Sequence, residues 1–317
     1  MAQRGEFDLI REFFTRSTRD AAVQLGVGDD AALLAVPARQ ELVVTTDTLV
    51  NGRHFPEDAA PYDIGWKALA VNLSDLAAMG AQARWVTLAL TLPDSDEEFL
   101  RGFSQGFFAL AEREGVSLIG GDTTRGPLAI TVTAMGLVPA GAALRRSGAQ
   151  PGDDIYVSGS VGDAGLGLRL VLQQWADDLP VADADFVLQR LHRPEPRLAL
   201  GAALRGLASS CLDVSDGLAQ DLGHVLSASA VGAELDLECL PLSAALAAVD
   251  PAFADVLALT SGDDYELLFT AAATQRERIA ALQPACRRIG RITAQRGLRL
   301  RRDGIDLNLP LAGFQHF

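Results

Sequence analysis

The sequence is almost without lysine: Lys67 is the only one in 317 residues, so nearly all of the 27 basic residues are arginine. No GxxxxGK[ST] segment exists, which excludes a P-loop nucleotide site. Cysteine is scarce as well, and Cys211, Cys239 and Cys286 stand in no CxxC spacing. That argues against zinc and reads as reduced thiols in a cytosolic protein. No apolar run approaches the ~20 residues needed to cross a bilayer, so no membrane partner is expected. Glu6, Asp8 and Glu12 interrupt the apolar residues of the N-terminus, which is therefore not read as a signal peptide. Positive charge is in deficit, 27 basic against 41 acidic residues for a net charge of −14. A nucleic-acid partner held by a basic face is not expected, and a phosphate-rich substrate is repelled unless cations intervene. Of the four histidines (His54, His192, His224, His316) none has a Ser or Cys partner in a recognisable hydrolase motif, so a catalytic triad has no support.

What is present is enough for a core: 49% of residues are hydrophobic and 21% charged. The length suits roughly two domains of ~150 residues. Phe7, Ile10, Phe13 and Phe14 keep helical spacing over residues 6–16. Residues 41–46 read as a strand ending at Asp47. Residues 63–79 predict a helix with Gly80 at its C-cap, and 96–114 a second helix stopped by Gly115. Residues 116–119 and 128–138 read as strands flanking a Gly-Gly-Asp turn. The Gly/Pro/Asp-rich stretch 147–154 marks a boundary. Beyond it, strands are expected at 155–158, 209–214 and 265–270, helices at 165–175, near Arg197 and at 216–228, and a hairpin around Asp303-Gly304.

The chemistry-bearing pattern is aspartate at the ends of apolar segments: at Asp29 and Asp30, Asp47, Asp75, Asp122, Asp213 and Asp216, and Asp263 and Asp264. Singly, such residues are ordinarily turn formers or N-caps. Six clusters, several beside Gly or a hydroxyl residue and with no Cys/His group, suit a hard cation, Mg²⁺ above all. Asn72 and Asp75 lie three apart on one predicted helix, on a face that also carries apolar residues, so they turn inward. Gly159-Ser160-Val161-Gly162 before a helix can cradle phosphate, though many such turns are simply tight.

These stretches together resemble the thiamine-monophosphate kinase family, within the superfamily that includes aminoimidazole ribonucleotide synthetase. The resemblance runs through GVGDDAAL, TTDTLVNGRHF, NLSDLAAMGA, LIGGDTTRGP, RRSGAQPGDDIYVSG, CLDVSDGL, SGDDYELLF and GFQHF, nearly end to end. One departure is Ser261-Gly262-Asp263-Asp264, where the family usually has Gly-Gly-Glu-Asp. The resemblance implies an α/β N-terminal domain (1–146, metal and ATP binding, dimerisation) and an α+β C-terminal domain (147–317) completing the active site. It implies a homodimer joined through the N-terminal sheets, and transfer of the γ-phosphate of ATP to thiamine monophosphate with several Mg²⁺ ions. By residue match it implies Asp30, Thr45, Thr46, Asp47, Asp75, Asp122, Asp213 and Asp216 for metal, and Gly121, Asp122, Arg146 and Ser215 for ATP. His54, Asp263 and Phe314 would hold thiamine monophosphate.

The residue chemistry agrees. An acceptor phosphate with a second pKa of ~6 is largely ionised at neutral pH, so no general base is required and no catalytic residue of that kind is named. The difficulty is repulsion between polyanions, which carboxylate-held metal relieves. A selenide-activating relative would need an early reactive Cys with a nearby Lys, and the first cysteine is Cys211; a maturation-type relative would end in Cys, and this chain ends Gln315-His316-Phe317. A non-catalytic binding protein would carry degraded carboxylates, whereas the six clusters are intact.

Overall fold

The computed structural model describes residues 6–16, 18, 20–27, 31–175, 179–307 and 309. The chain forms two compact units, Met1–Leu76 with Ala81–Gly141, and Ala77–Gly80 with Ala142–Phe317.

In the first unit a short helix α1 (Glu6–Leu9) runs into a π-helical turn (Ile10–Phe14) that buries Phe13 and Phe14. Strands β1 (Val23–Leu25) and β2 (Leu33–Leu34) pair with each other and pack near Trp85, Ile119 and Leu137. The main sheet holds β3 (Gln40–Val50), β4 (Gln82–Leu92), β5 (Ser117–Arg125) and β6 (Ala129–Pro139) in the order β3-β6-β4-β5. Only β4 and β5 are parallel, as the crossover through a helix between them requires. Two 18-residue helices complete the unit, α2 (Pro61–Ala78) and α3 (Glu97–Glu114). Asp96 caps α3 by accepting from the amides of Glu98 and Phe99, and Gly115 ends it in the left-handed region at φ 70°. Both signals were legible in the sequence.

Two expectations are corrected here. Strand β3 does not end at Asp47 but continues to Val50, because all eleven of its residues pair with β6. Gly120-Gly121-Asp122 is not a turn but the middle of β5. Glycine is needed there for close approach: a Cβ on Gly121 (φ 157°) would stand 1.9 Å from the Leu88 carbonyl oxygen. Helices α2 and α3 meet through glycines in the same way, a Cβ on Gly106 falling 1.8 Å from the Tyr62 carbonyl oxygen. Gly106→Ala is expected to lower stability by about 1–3 kcal/mol, the usual cost of overpacking, read as a lower urea midpoint.

The second unit is built on a seven-stranded sheet, order β13-β12-β9-β11-β7-β10-β8. Its strands are β7 (Asp154–Ser158), β8 (Ser210–Asp213), β9 (Gly232–Asp236), β10 (Leu267–Ala271), β11 (Cys286–Thr293), β12 (Gly297–Arg302) and β13 (Ile305–Leu307). All neighbours are antiparallel except β9 and β12. Its helices are α4 (Asp163–Val171), α5 (Val181–His192), α6 (Leu198–Leu204), α7 (Leu218–Ser229), α8 (Ala244–Ala247), α9 (Pro251–Thr260) and α10 (Arg276–Ala280). Strands β7, β8 and β10 are buried on both faces. Ile155, Val157, Leu212 and Leu268 join one core, and Tyr156, Cys211, Leu267 and Phe269 the other. The expected hairpin stands, with Asp303 and Gly304 both at positive φ between β12 and β13.

Candidate functional site

Pleating sorts the residues of β3 onto two faces. Thr45 and Asp47 turn toward α2, where Asn72 and Asp75 share one turn. The Thr45 hydroxyl donates to the Asp75 carboxylate, and the Asp47 amide donates to Asn72 Oδ1 at 3.1 Å. Asn72 is fully buried and is oriented by its own bond to the Ala68 carbonyl oxygen at 3.1 Å. Burial, and then the neighbouring charge of Asp75, pushes the Asp47 carboxyl up to about 6. Two carboxylates that raise each other's cost, set among a hydroxyl and an amide, are donors that fit a hard cation. Among the described residues, no group of three or more His, Cys, Asp or Glu side chains is placed to hold a metal.

The other faces of the set are distinct. Thr46 shares a hydroxyl–hydroxyl bond with Thr133 at 2.9 Å, as Thr48 does with Thr131 at 2.8 Å. Register through Thr131 and Ala89 puts the exposed Asp122 on that same face, opposite Thr45 and Asp47. Gly121 lies beside it in β5. His54 sits in the turn after β3, and its Nδ1 accepts the Val50 amide at 3.0 Å, which places the proton of the neutral ring on Nε2. Asp30 lies outside the described residues, as does Phe314.

In the second unit Asp213 ends the edge strand β8, and residues 214–217 turn the chain into α7. The carboxylate of Asp221, on the first turn of α7, accepts the amides of Ser215, Asp216 and Gly217 at 3.0, 3.1 and 3.2 Å. Burial raises the Asp221 carboxyl to about 6 against the pull of those amides. The Ser215 carbonyl oxygen accepts the Asp263 amide at 2.9 Å and that of Val214 the Tyr265 amide at 2.9 Å. Asp263 and Tyr265 stand in the left-handed region, at φ 67° and 50°, and the Tyr265 hydroxyl reaches Asp263 at 3.2 Å. Asp213, Ser215, Asp216 and Asp263 are thus brought together. Arg146 is exposed on the segment whose Arg145 carbonyl oxygen accepts the Cys211 amide of β8 at 2.8 Å.

The Gly159–Gly162 turn is not an open phosphate cradle. The buried Asp264 carboxylate already accepts the Gly162 amide at 2.6 Å and the Ala164 amide at 3.4 Å. Full burial pushes the Asp264 carboxyl up to about 8, against the opposing pull of Arg190 and those amides. Behind it, Glu266 is fully buried and accepts from Arg197 Nε at 2.7 Å, Arg190 at 3.0 Å and Ser158 at 2.5 Å. Sequence reasoning missed Asp221, Arg190, Arg197 and Glu266. Their only signal was charge inside otherwise apolar stretches.

Comparison with known proteins follows the same two-part plan. Residues 28–138 match the family model for the AIR synthase related protein, N-terminal domain, and residues 150–303 that for the C-terminal domain. A thiamine-monophosphate kinase from Escherichia coli (strain K12) is 50% identical, covering 99% of this chain and 98% of the relative. The crystal structure of thiamine-monophosphate kinase from Stenotrophomonas maltophilia K279a superposes with a TM-score of 0.84 at 51% identity, covering 90% of this chain and 92% of that one. The structure of AaThiL complexed with AMPPCP and TMP gives 0.77 at 31% identity, covering 89% of each chain.

Proposed function

The chain belongs to the thiamine-monophosphate kinase family, and from that membership we propose that it transfers the γ-phosphate of ATP to thiamine monophosphate, giving thiamine diphosphate and ADP. The observation that carries the reading is 50% identity over 99% of the chain. The paired carboxylates of Asp47 and Asp75 support it chemically, because two polyanionic substrates need a cation in so acidic a protein. Thr45, Asp47, Asp75, Asp213 and Asp216 are assigned to Mg²⁺ together with Asp30; the expectation that Thr46 and Asp122 join them is corrected by register, which puts both side chains on the opposite face of the sheet from Thr45 and Asp47. When bound, Mg²⁺ supplies neutralisation of phosphate charge and stabilises the transferring phosphoryl group. Gly121, Asp122, Arg146 and Ser215 are assigned to ATP, Arg146 as a bidentate phosphate contact. His54, Asp263 and Phe314 are assigned to thiamine monophosphate, Asp263 favouring the fixed positive charge of the thiazolium ring. Residues 1–146 carry metal, ATP and dimer functions and residues 147–317 supply the remaining groups, in a cytoplasmic enzyme. No helix among the described residues is long and apolar enough to cross a membrane.

ATP consumption measured with thiamine monophosphate and thiamine side by side tests this reading. Turnover is expected with the phosphate ester alone, abolished by EDTA and restored by Mg²⁺. Full turnover in metal-free buffer, or preference for thiamine, contradicts it.

The outward face of β3 exposes Leu42, Val44 and Val50 at 43%, 54% and 39%, in line with the Thr46 and Thr48 rows. Such an edge strand calls for a cover, and we assign it to a second copy of this chain. Light scattering at micromolar concentration is expected to give twice the 33.5 kDa chain mass. A lone chain mass overturns the assignment.

A further inference from the structure

The loop 214–217 has almost every main-chain polar group engaged. The Val214 amide donates to the Glu266 carbonyl oxygen at 2.8 Å, and the Val214 and Ser215 carbonyl oxygens accept from Tyr265 and Asp263. The amides of Ser215, Asp216 and Gly217 lie outside any strand ladder, and all three converge on one oxygen, Oδ2 of Asp221. An acidic side chain in the first turn of a helix commonly reaches back to the single N-cap amide. Here it reaches back past the helix start and gathers three successive amides of the preceding loop. Asp221 is only 4% exposed, and a carboxylate so buried is costly unless its bonds are made. Those bonds hold only in one course of the loop. Gly217 cannot relax that course with a side chain, since at φ 122° its Cβ would lie 2.9 Å from the Thr260 carbonyl group.

We propose that Asp221 is a positioning residue: by holding these three amides it sets the direction in which the loop presents Ser215 and Asp216 to the Mg²⁺-bound nucleotide. The inference rests on the assignment above of Ser215 to ATP and Asp216 to metal. Asp221 itself touches neither substrate in this account. Its contribution is the shape of the loop, and through Ser215 and Val214 that of the Asp263–Tyr265 segment.

Calorimetric titration of AMPPCP at graded Mg²⁺ concentrations separates positioning from simple support of α7. Charge-assisted bonds are worth enough that Asp221→Asn should weaken Mg²⁺–AMPPCP binding about 10-fold and Asp221→Ala about 30-fold or more. Raising Mg²⁺ should recover much of the binding in the Asn variant, which a merely structural role does not predict. Unchanged affinity in Asp221→Ala, with Asp216→Asn weakened, overturns the inference alone. Unchanged affinity in Asp216→Asn overturns the assignment of Asp216 and the inference with it. Hydrogen exchange in the unaltered protein guards against variants that do not fold: the Ser215, Asp216 and Gly217 amides should be protected although they lie in a loop. Exchange at unstructured-peptide rates would overturn the proposal.

Discussion

Asp47→Asn is expected to lower turnover by at least ~10²-fold while leaving the fold intact, the scale seen when one preorganised charge-stabilising group is removed. The substitution keeps the shape of the side chain. It also keeps the main-chain bond from residue 47 to Asn72. What it removes is the charge, in a place where charge is already disfavoured. Burial and Asp75 lift the Asp47 carboxyl from 3.8 to about 6. The folded state therefore holds this proton more tightly than the unfolded chain does. The associated stability is complete below pH ~4 and is lost as pH rises through ~6. At pH 7 without metal, Asp47→Asn should thus be more stable than the parent, by at most about 3 kcal/mol at ~1.4 kcal/mol per pKa unit. The difference should close near pH 4. A variant that retains full turnover, or one that is less stable than the parent in EDTA at pH 7, contradicts the role given to Asp47.

Glu266→Ala should have the largest effect on stability, a loss of about 3–5 kcal/mol, because it takes from the buried Arg190 and the half-buried Arg197 the carboxylate they share. Glu266 has no exposed surface and receives bonds from two arginines and a serine. Arg190 is itself only 8% exposed, and its Nε makes no hydrogen bond among the described residues, the Asp163 carboxylate standing 3.9 Å away. The loss of Glu266 therefore removes the nearer carboxylate partner of a buried charge and leaves it only the more distant Asp163. The urea midpoint reports the change, and a loss under ~1 kcal/mol would mean that the arginines find other partners. The effect should extend to the Asp263–Tyr265 segment, whose Asp264 carbonyl oxygen accepts from Arg190 at 3.0 Å.

Local signals in the sequence reached far into this fold. Asp96 and Gly115 marked the two ends of α3, and Asp303-Gly304 marked the last hairpin, because caps and tight turns are written in single residues. Helical period placed α2 and therefore the shared face of Asn72 and Asp75. Strand ends were less legible: β3 and β5 run on through polar and glycine residues because a neighbouring strand continues to pair with them. Strands β9 and β11 were missed, since they are placed by the sheet they join, and helices α5 and α9 were missed as well. The aspartate clusters raised the expectation of a hard cation but did not tell which face each residue would occupy. Thr46 and Asp122 lie across the sheet from Thr45 and Asp47, a separation that depends on register. Asp221 and Asp264, buried carboxylates that accept main-chain amides, looked the same in sequence as the other aspartates. Only their amide partners distinguish them.

The most direct measurement is ³¹P NMR of the purified protein with ATP, thiamine monophosphate and Mg²⁺. The account predicts that the monophosphate resonance of thiamine is replaced by the coupled pair of a diphosphate, in step with ADP and without inorganic phosphate. ADP and inorganic phosphate appearing while thiamine monophosphate stays unchanged, or no reaction at all, would contradict it.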